Sequence, residues 1–155
     1  KCLKVLIKRK RALAYVSIDF ESGLADQTGD LRRLGFLDGE FDTLVCFHVL
    51  EHIAEDQLAM NEMYRVLKSQ GSAFISVPIV GMHSEEATAS MSDLDRQRRF
   101  GQADHVRNYG ADIQDRLQAS GFKVQLLKAS HFLTEHEVQY FGLNLTEILI
   151  VATKA

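Results

Sequence analysis

Phe41-Asp42-Thr43-Leu44-Val45-Cys46-Phe47-His48-Val49-Leu50-Glu51-His52-Ile53 decides how the rest of this sequence is read. Its first half is a nearly continuous apolar run, the pattern of a parallel strand covered by helices on both faces. Within a few residues the run turns polar and acidic, as the entry to a helix does. A histidine and a glutamate therefore stand where a parallel strand ends, and in open α/β sheets ligands bind at that end.

Working outward, the apolar period changes after Ala54. Ala59, Met60, Met63, Val66 and Leu67 fall at i, i+1, i+4, i+7 and i+8, which predicts a helix over 54–67 with one buried face. Glu55 and Asp56 suit its positive N-terminal end, Lys68 suits the opposite end, and Gly71 is expected to help stop it. Ser72 to Pro78 reads as the next strand, ended by the only proline, whose missing N–H cannot join a central ladder. Strand, helix and strand at this spacing make a βαβ unit with a right-handed crossover.

Upstream, Lys4 to Arg11 is compatible with a short amphipathic helix, and Ala14 to Asp19 reads as a buried parallel strand ending in an acid. Gly23, Gly29, Gly35 and Gly39 predict turns around one short strand near Leu24–Asp26 or Asp30–Arg32. Downstream, Met82 to Arg107 loses apolar periodicity and mixes both charge signs, which predicts a long loop or lid over 82–107. Asn108 to Ser120 returns to helical spacing before a Gly121 cap, Phe122 to Leu127 alternates as a strand, and His131 to Tyr140 reads as a helical turn or loop. The last strand is expected at Leu145 to Ala152.

The 155 residues, 46% hydrophobic and 25% charged, fit one domain over 1–155. No run approaches the roughly 20 apolar residues of a membrane span, and the basic start lacks the apolar stretch of a secretory signal. A soluble, cytoplasmic protein without a membrane partner is therefore expected. Cys2 and Cys46 give neither a disulfide framework nor a metal-ligand spacing, so no metal is expected from them. The net charge of −3 hides an asymmetry: six of the eighteen basic residues lie in the first eleven positions, leaving twelve against twenty-one acids. That acidic body argues against a nucleic-acid groove. The basic start reads as a solvated helix face with Leu3, Leu6 and Ile7 on its packed side, or as an arm for an anionic partner.

Three groups of residues carry possible chemistry. Asp19 and Asp30 stand near the ends of early strands, where a carboxylate accepts hydrogen bonds from a ribose diol or an adenine amino group, and where turn formation is the plainer role. His48-Val-Leu-Glu51-His52 matches the H-x-x-E-H text of one zinc-peptidase class. Such a site needs both histidines on one face of an established helix, whereas His48 follows directly from strand residues. Asp104-His105-Val-Arg107-Asn-Tyr109-Gly110 gathers an acid, an imidazole, a guanidinium and a phenol. Arg107 is a candidate to hold an anionic substrate group bidentately, with Tyr109 beside it, or to brace the loop; His105 is a candidate general base. No G-x-S-x-G or G-K-[ST] is present, which argues against serine-hydrolase and nucleotide-hydrolysis chemistry.

These residues together resemble the class I S-adenosylmethionine-dependent methyltransferases, in the type 11-like branch. Tyr15-Val-Ser-Ile-Asp19 is similar to the family's second motif, Gly29 to Asp42 to its link between adenine contact and fourth strand, and Val45 to His52 to its fourth motif. Glu62 to Gly71 resembles the helix before the fifth strand, with Ser69-Gln70 for the more usual Pro-Gly, and Ala119 to Val124 the late helix-to-strand turn. The resemblance implies an α/β, Rossmann-like three-layer sandwich with a mostly parallel sheet and an antiparallel last strand. It implies S-adenosylmethionine as cofactor, with Asp19 at the ribose, Phe20 also cofactor-binding, Asp30 and Leu31 at the adenine, Phe47 and His48 lining the cofactor, and a small-molecule acceptor. His48, His52 and His105 are the candidate bases, and Arg107 and Tyr109 the candidate acceptor contacts. The family's opening strand and glycine-rich turn have no counterpart beyond Lys1-Cys2-Leu3, with no glycine before Gly23. A first strand that is short or missing follows, through a truncated start, a missing loop or a degenerate cofactor site. Besides methyl transfer, the residues leave open a non-catalytic module of the same ancestry and a zinc hydrolase using His48 and His52.

Overall fold

The computed structural model describes residues 15–155 except 22, 132 and 141–146. The opening stretch forms β3, Phe41–Phe47, which pairs in parallel with β4, Leu67–Ser76, from Thr43↔Ser72 to Phe47↔Ser76. Between them runs α1, Asp56–Val66, whose Ala59, Met60, Met63 and Val66 are all fully buried. The 3.6-residue period thus places its apolar stripe against the sheet, and the βαβ unit forms as the spacing predicts.

β4 pairs antiparallel on its other side with β8, Ile148–Lys154, and β8 pairs antiparallel with β7, Phe122–Lys128. The sheet order is β3-β4-β8-β7, so three strands share one direction and the last in sequence opposes them. This is an α/β fold with a mixed sheet. Cys46, Ala73, Ile75, Ile150 and Ala152 from the strands, Met60 and Met63 from α1, and Ile113 and Leu117 from α3, Ile113–Ala119, form one apolar core. Burying a side chain of this size contributes about 1.5–3 kcal/mol, which fixes the helices on the sheet.

Several elements differ from the sequence expectation. α1 ends at Val66, because Leu67 already has extended backbone (φ −76°, ψ 140°) and begins β4 at once. Gly71 does not stop the helix. It lies where β4 shifts register, and a Cβ there would meet the Lys68 carbonyl oxygen at 2.9 Å and the Asp42 carbonyl oxygen at 3.1 Å. The short early strand falls between the two expected places: β2, Gln27–Thr28, pairs in parallel with β1, Ile18–Asp19. β3 is not covered on both faces, since Val45 and Phe47 are 37% and 42% exposed while Cys46 is buried. Among the described residues β3 is the end strand of the four-stranded sheet, so only its inward-facing residues meet the core.

The segment after Pro78 is folded rather than irregular. β5, Glu85–Glu86, pairs antiparallel with β6, Arg107–Asn108, and α2, Asp93–Phe100, lies between. The Ser92 hydroxyl caps α2 by accepting from the Asp95 amide at 3.2 Å, and Gly101 (φ 90°) ends it. Asn108 therefore belongs to a ladder, and the helix expected from 108 begins at Ile113. α4, Glu135–Tyr140, occupies the expected helical turn. The expected first-strand remnant at 1–3, the helix at 4–11 and the start of the 145–152 strand lie outside the described residues.

Candidate functional site

β3 and β4 end side by side, and His48 is the first residue beyond β3. Its backbone is in the left-handed region (φ 54°), uncommon for a residue with a side chain, and its amide donates to the Ser76 carbonyl at 2.8 Å. The imidazole is thereby turned out of the strand. His48 lines a cavity of about 350 Å³ with Ser76, Val77, Pro78, Ile79, Glu147 and Ile148. The Ser76 hydroxyl donates to Glu147 Oε1 at 3.0 Å across this space. His48 Nδ1 lies 3.1 Å from Glu51 Oε1. A carboxylate only accepts, so Nδ1 carries the proton there and Nε2 keeps a free lone pair.

The candidate cofactor residues stand at neighbouring strand ends. Asp19 ends β1, and its Oδ1 accepts the Glu21 amide at 2.9 Å. Its other oxygen has no hydrogen-bond partner among the described residues. Phe20 beside it is 73% exposed. Asp30 follows β2, and both its oxygens are held by Arg32, with Nη2 at 2.7 Å from Oδ2. The Arg32 side chain and amide hold the Asp30 carboxyl below its ordinary range. Arg32 also donates to Glu55 Oε2 at 2.6 Å, which draws the end of β2 beside the turn that follows β3. Leu31 packs against the core, and Phe47 is half exposed.

The other two candidate histidines sit deeper. Leu50–His52 form one short 3-10 turn, with Glu51 fully covered. His52 Nδ1 is 3.1 Å from Asp104 Oδ2, and its ring meets the His105 ring edge-on at 4.7 Å. His105 is buried, with Nδ1 at 2.8 Å from the Phe100 carbonyl oxygen. Among the described residues, His48 is the one histidine of the three lining the cavity. His48 and His52 are not paired on a helix, because His48 ends a strand and His52 ends a 3-10 turn, so the peptidase pattern loses its required geometry.

Of the two readings of Arg107, clamp or brace, its burial and that of Tyr109 fit the brace. Arg107 is 2% exposed and Tyr109 is fully buried. The Arg107 guanidinium donates to the carbonyls of Leu50 at 3.1 Å, Ala54 at 2.7 Å and Ile53, and to Glu86 Oε2 at 3.0 Å. The Tyr109 hydroxyl donates to Asp56 Oδ2 at 2.8 Å, and burial pushes its pKa well up. Arg116 reaches Asp56 at 2.8 Å and Glu86 at 2.7 Å. Spacing alone did not reveal this Asp56–Arg107–Arg116–Glu86 network, buried at Asp56 and Arg107 and open at Glu86. Asp56 reads as an ordinary first-turn acid, and its partners come from segments more than fifty residues away.

A family model described as a methyltransferase domain matches residues 5–75. No curated protein matches the sequence. The chain superposes with TM-score 0.66 and 15% identity on a chain from the Haloferax volcanii complex between the Trm112 methyltransferase activator and a methyltransferase, covering 97% of this chain and 75% of that one. An Archaeoglobus fulgidus SAM-dependent methyltransferase gives TM-score 0.63 at 13% identity, over 98% of this chain and 80% of that one. The Burkholderia thailandensis 1,6-didemethyltoxoflavin-N1-methyltransferase, solved with its acceptor and S-adenosylhomocysteine bound, gives 0.59 at 13% identity, over 89% and 60%. Residues 5–75 carry the methyltransferase-domain match, and the chain has the fold of the class I S-adenosylmethionine-dependent methyltransferases.

Proposed function

We propose that this chain is an S-adenosylmethionine-dependent methyltransferase acting on a small-molecule acceptor. The observation that carries the reading is the cavity at the ends of β3 and β4, walled by His48 and Glu147, within a methyltransferase fold. The residues at neighbouring strand ends fit such a cofactor. Asp19 has a free carboxylate oxygen for a ribose hydroxyl, Phe20 is exposed enough to cover a ring, and Asp30 with Leu31 stands where an adenine would lie. Asp30 shares its oxygens with Arg32, so the adenine amino group takes remaining acceptor capacity.

When bound, the cofactor supplies an electrophilic methyl group on a sulfonium. The chain's task would be alignment: the wall of Val77, Pro78 and Ile79 would exclude water around an acceptor held in the cavity, beside a cofactor held by Asp19, Asp30 and Phe47. Where the acceptor must lose a proton, His48 Nε2 takes it, oriented by the Glu51 contact at Nδ1.

Calorimetric titration of the full-length chain with S-adenosylhomocysteine tests the reading. Binding is expected, weakened about 10-fold or more in Asp19→Ala through loss of a charge-assisted hydrogen bond. Absence of binding by the wild-type chain overturns it.

A second reading, association without turnover, is favoured by the exposed Val45 and Phe47 on β3 and by the match to a chain from an activator complex. Methyl transfer to any member of a metabolite pool removes that reading.

A further inference from the structure

We infer that Glu51, His52 and His105 form a binding site for one divalent transition-metal ion of the zinc class. Glu51 and His52 are adjacent on the 3-10 turn, and the chain brings His105 to them from far downstream. The Val106 amide donates to the Glu51 carbonyl at 2.9 Å, laying the 104–107 segment along the turn. One potential ligand atom from each residue then lies within 4.8 Å of the other two.

The electrostatics of this cluster call for a cation. Glu51 is 1% exposed and His105 4% exposed, yet Glu51 Oε2 and His105 Nε2 have no hydrogen-bond partner among the described residues. Leaving a buried polar atom unpaired is costly. Both are acceptors. The Phe100 carbonyl beside His105 Nδ1 can only accept, so Nδ1 carries a proton, and in the neutral ring Nε2 presents a lone pair. His52 Nδ1 lies 3.1 Å from Asp104 Oδ2, an ion-pair contact, and its side chain is 30% exposed. Two buried acceptors without a donor among the described residues, Glu51 Oε2 and His105 Nε2, therefore belong to a cluster that His52 completes.

The surroundings are those of a ligand set. A metal-bound histidine commonly donates its second ring N–H to a carbonyl or carboxylate, which fixes its tautomer and raises its basicity. His105 has the carbonyl, and His52 has the Asp104 carboxylate within ion-pair distance. Two imidazoles and one carboxylate suit zinc, cobalt, nickel or ferrous iron, whereas magnesium and calcium prefer all-oxygen sites. Zinc–ligand bonds of about 2.0–2.1 Å put donors roughly 3.3 Å apart, so the cluster contracts on binding. His52, 30% exposed at its side chain, is the ligand with room to move. Three protein ligands leave a further position for water or another ligand. Glu51 Oε1 stays with His48, which remains outside the set, so this differs both from a His48–His52 pair and from the metal-free expectation. The site stands whether or not the chain transfers methyl groups.

The test uses the full-length, tag-free chain, stripped of metal and titrated with Co²⁺ and then Zn²⁺. One equivalent of Co²⁺ is expected, with visible d–d absorption that Zn²⁺ abolishes, and Zn²⁺ raises the melting temperature. Glu51→Gln and His105→Gln should each weaken binding by more than the roughly 10–100-fold typical of losing an outer partner, while His83→Ala leaves it unchanged. Circular dichroism of each metal-free variant checks its fold; if the buried variants fail that check, His52→Asn at the more exposed ligand supplies the same comparison. No cobalt spectrum in the wild type, or binding that survives these ligand changes, overturns the site and leaves a buried water or a proton on Glu51 as occupant.

Discussion

At the scale of single residues, Arg107 shows how one set of neighbours in a sequence leaves two roles open. A guanidinium beside an acid, a histidine and a phenol reads equally as an anion clamp or as a brace. Burial separates the two, since a clamp must reach solvent and Arg107 is 2% exposed. Its donors satisfy the Leu50, Ile53 and Ala54 carbonyls of the turn that carries Glu51 and His52. Arg107→Met should therefore destabilise the fold by about 3–5 kcal/mol, as expected when one partner of a buried charge network is removed. Arg107→Lys should recover only part of this, because an ammonium lacks the planar fork that spans several carbonyls. Urea unfolding midpoints measure both. A substrate-binding role alone would leave the midpoint unchanged.

At the scale of elements, the sequence located the strongly periodic pieces and misread the polar ones. α1 and β7 were plain from their periods. α2 was not, because Asp93–Phe100 offers only Leu94 and Phe100 as apolar residues, and its real signal is the Ser92 cap with Asp95. The β5–β6 ladder is two residues on each side, too short for any period to show. This excursion is anchored at Gly110, where a Cβ would lie 2.4–2.6 Å from the backbone of His83. Backbone cannot yield there as a flexible side-chain tip can. Gly110→Ala should cost about 3 kcal/mol or more, visible as a lowered thermal midpoint. An unchanged midpoint would show that the two segments do not pack this closely.

At the scale of the whole molecule, carboxylates tied to basic groups make stability depend on pH. Arg65 holds Glu62 below its ordinary value of 4.5, donating Nε to Oε1 at 2.7 Å and Nη2 to Oε2 at 2.8 Å. Asp112 is lowered as well: burial pushes it up, and the Ser84 hydroxyl and amide outweigh that. A carboxyl that is more acidic when folded contributes fully above its unfolded value and loses that contribution as pH falls through its folded value. The urea midpoint should thus be level above about pH 5 and fall below the ordinary 4.5 and 3.8 of these groups. Glu62→Gln should be less stable at neutral pH and show a shallower acid limb; an acid limb identical to wild type would show that Glu62 does not contribute. No helix among the described residues is long and apolar enough to cross a membrane.

The sequence by itself determined the βαβ unit and the position of His48 at a strand end. These depend on local periods, 2 for strands and 3.6 for helices, and on the rule that ligands gather where parallel strands finish. Which histidines meet, and which charges are buried, only the tertiary structure decided. Glu51 and His105 lie far apart in sequence, and they meet because the Val106 amide bonds the Glu51 carbonyl and Arg107 grips the same turn. Phe41 to Ile53 therefore keeps its place at the site, with its members sorted: His48 opens on the cavity, while Glu51 and His52 turn inward to His105. Periodicity reports which face of an element is apolar. It does not report which distant segment that element will touch.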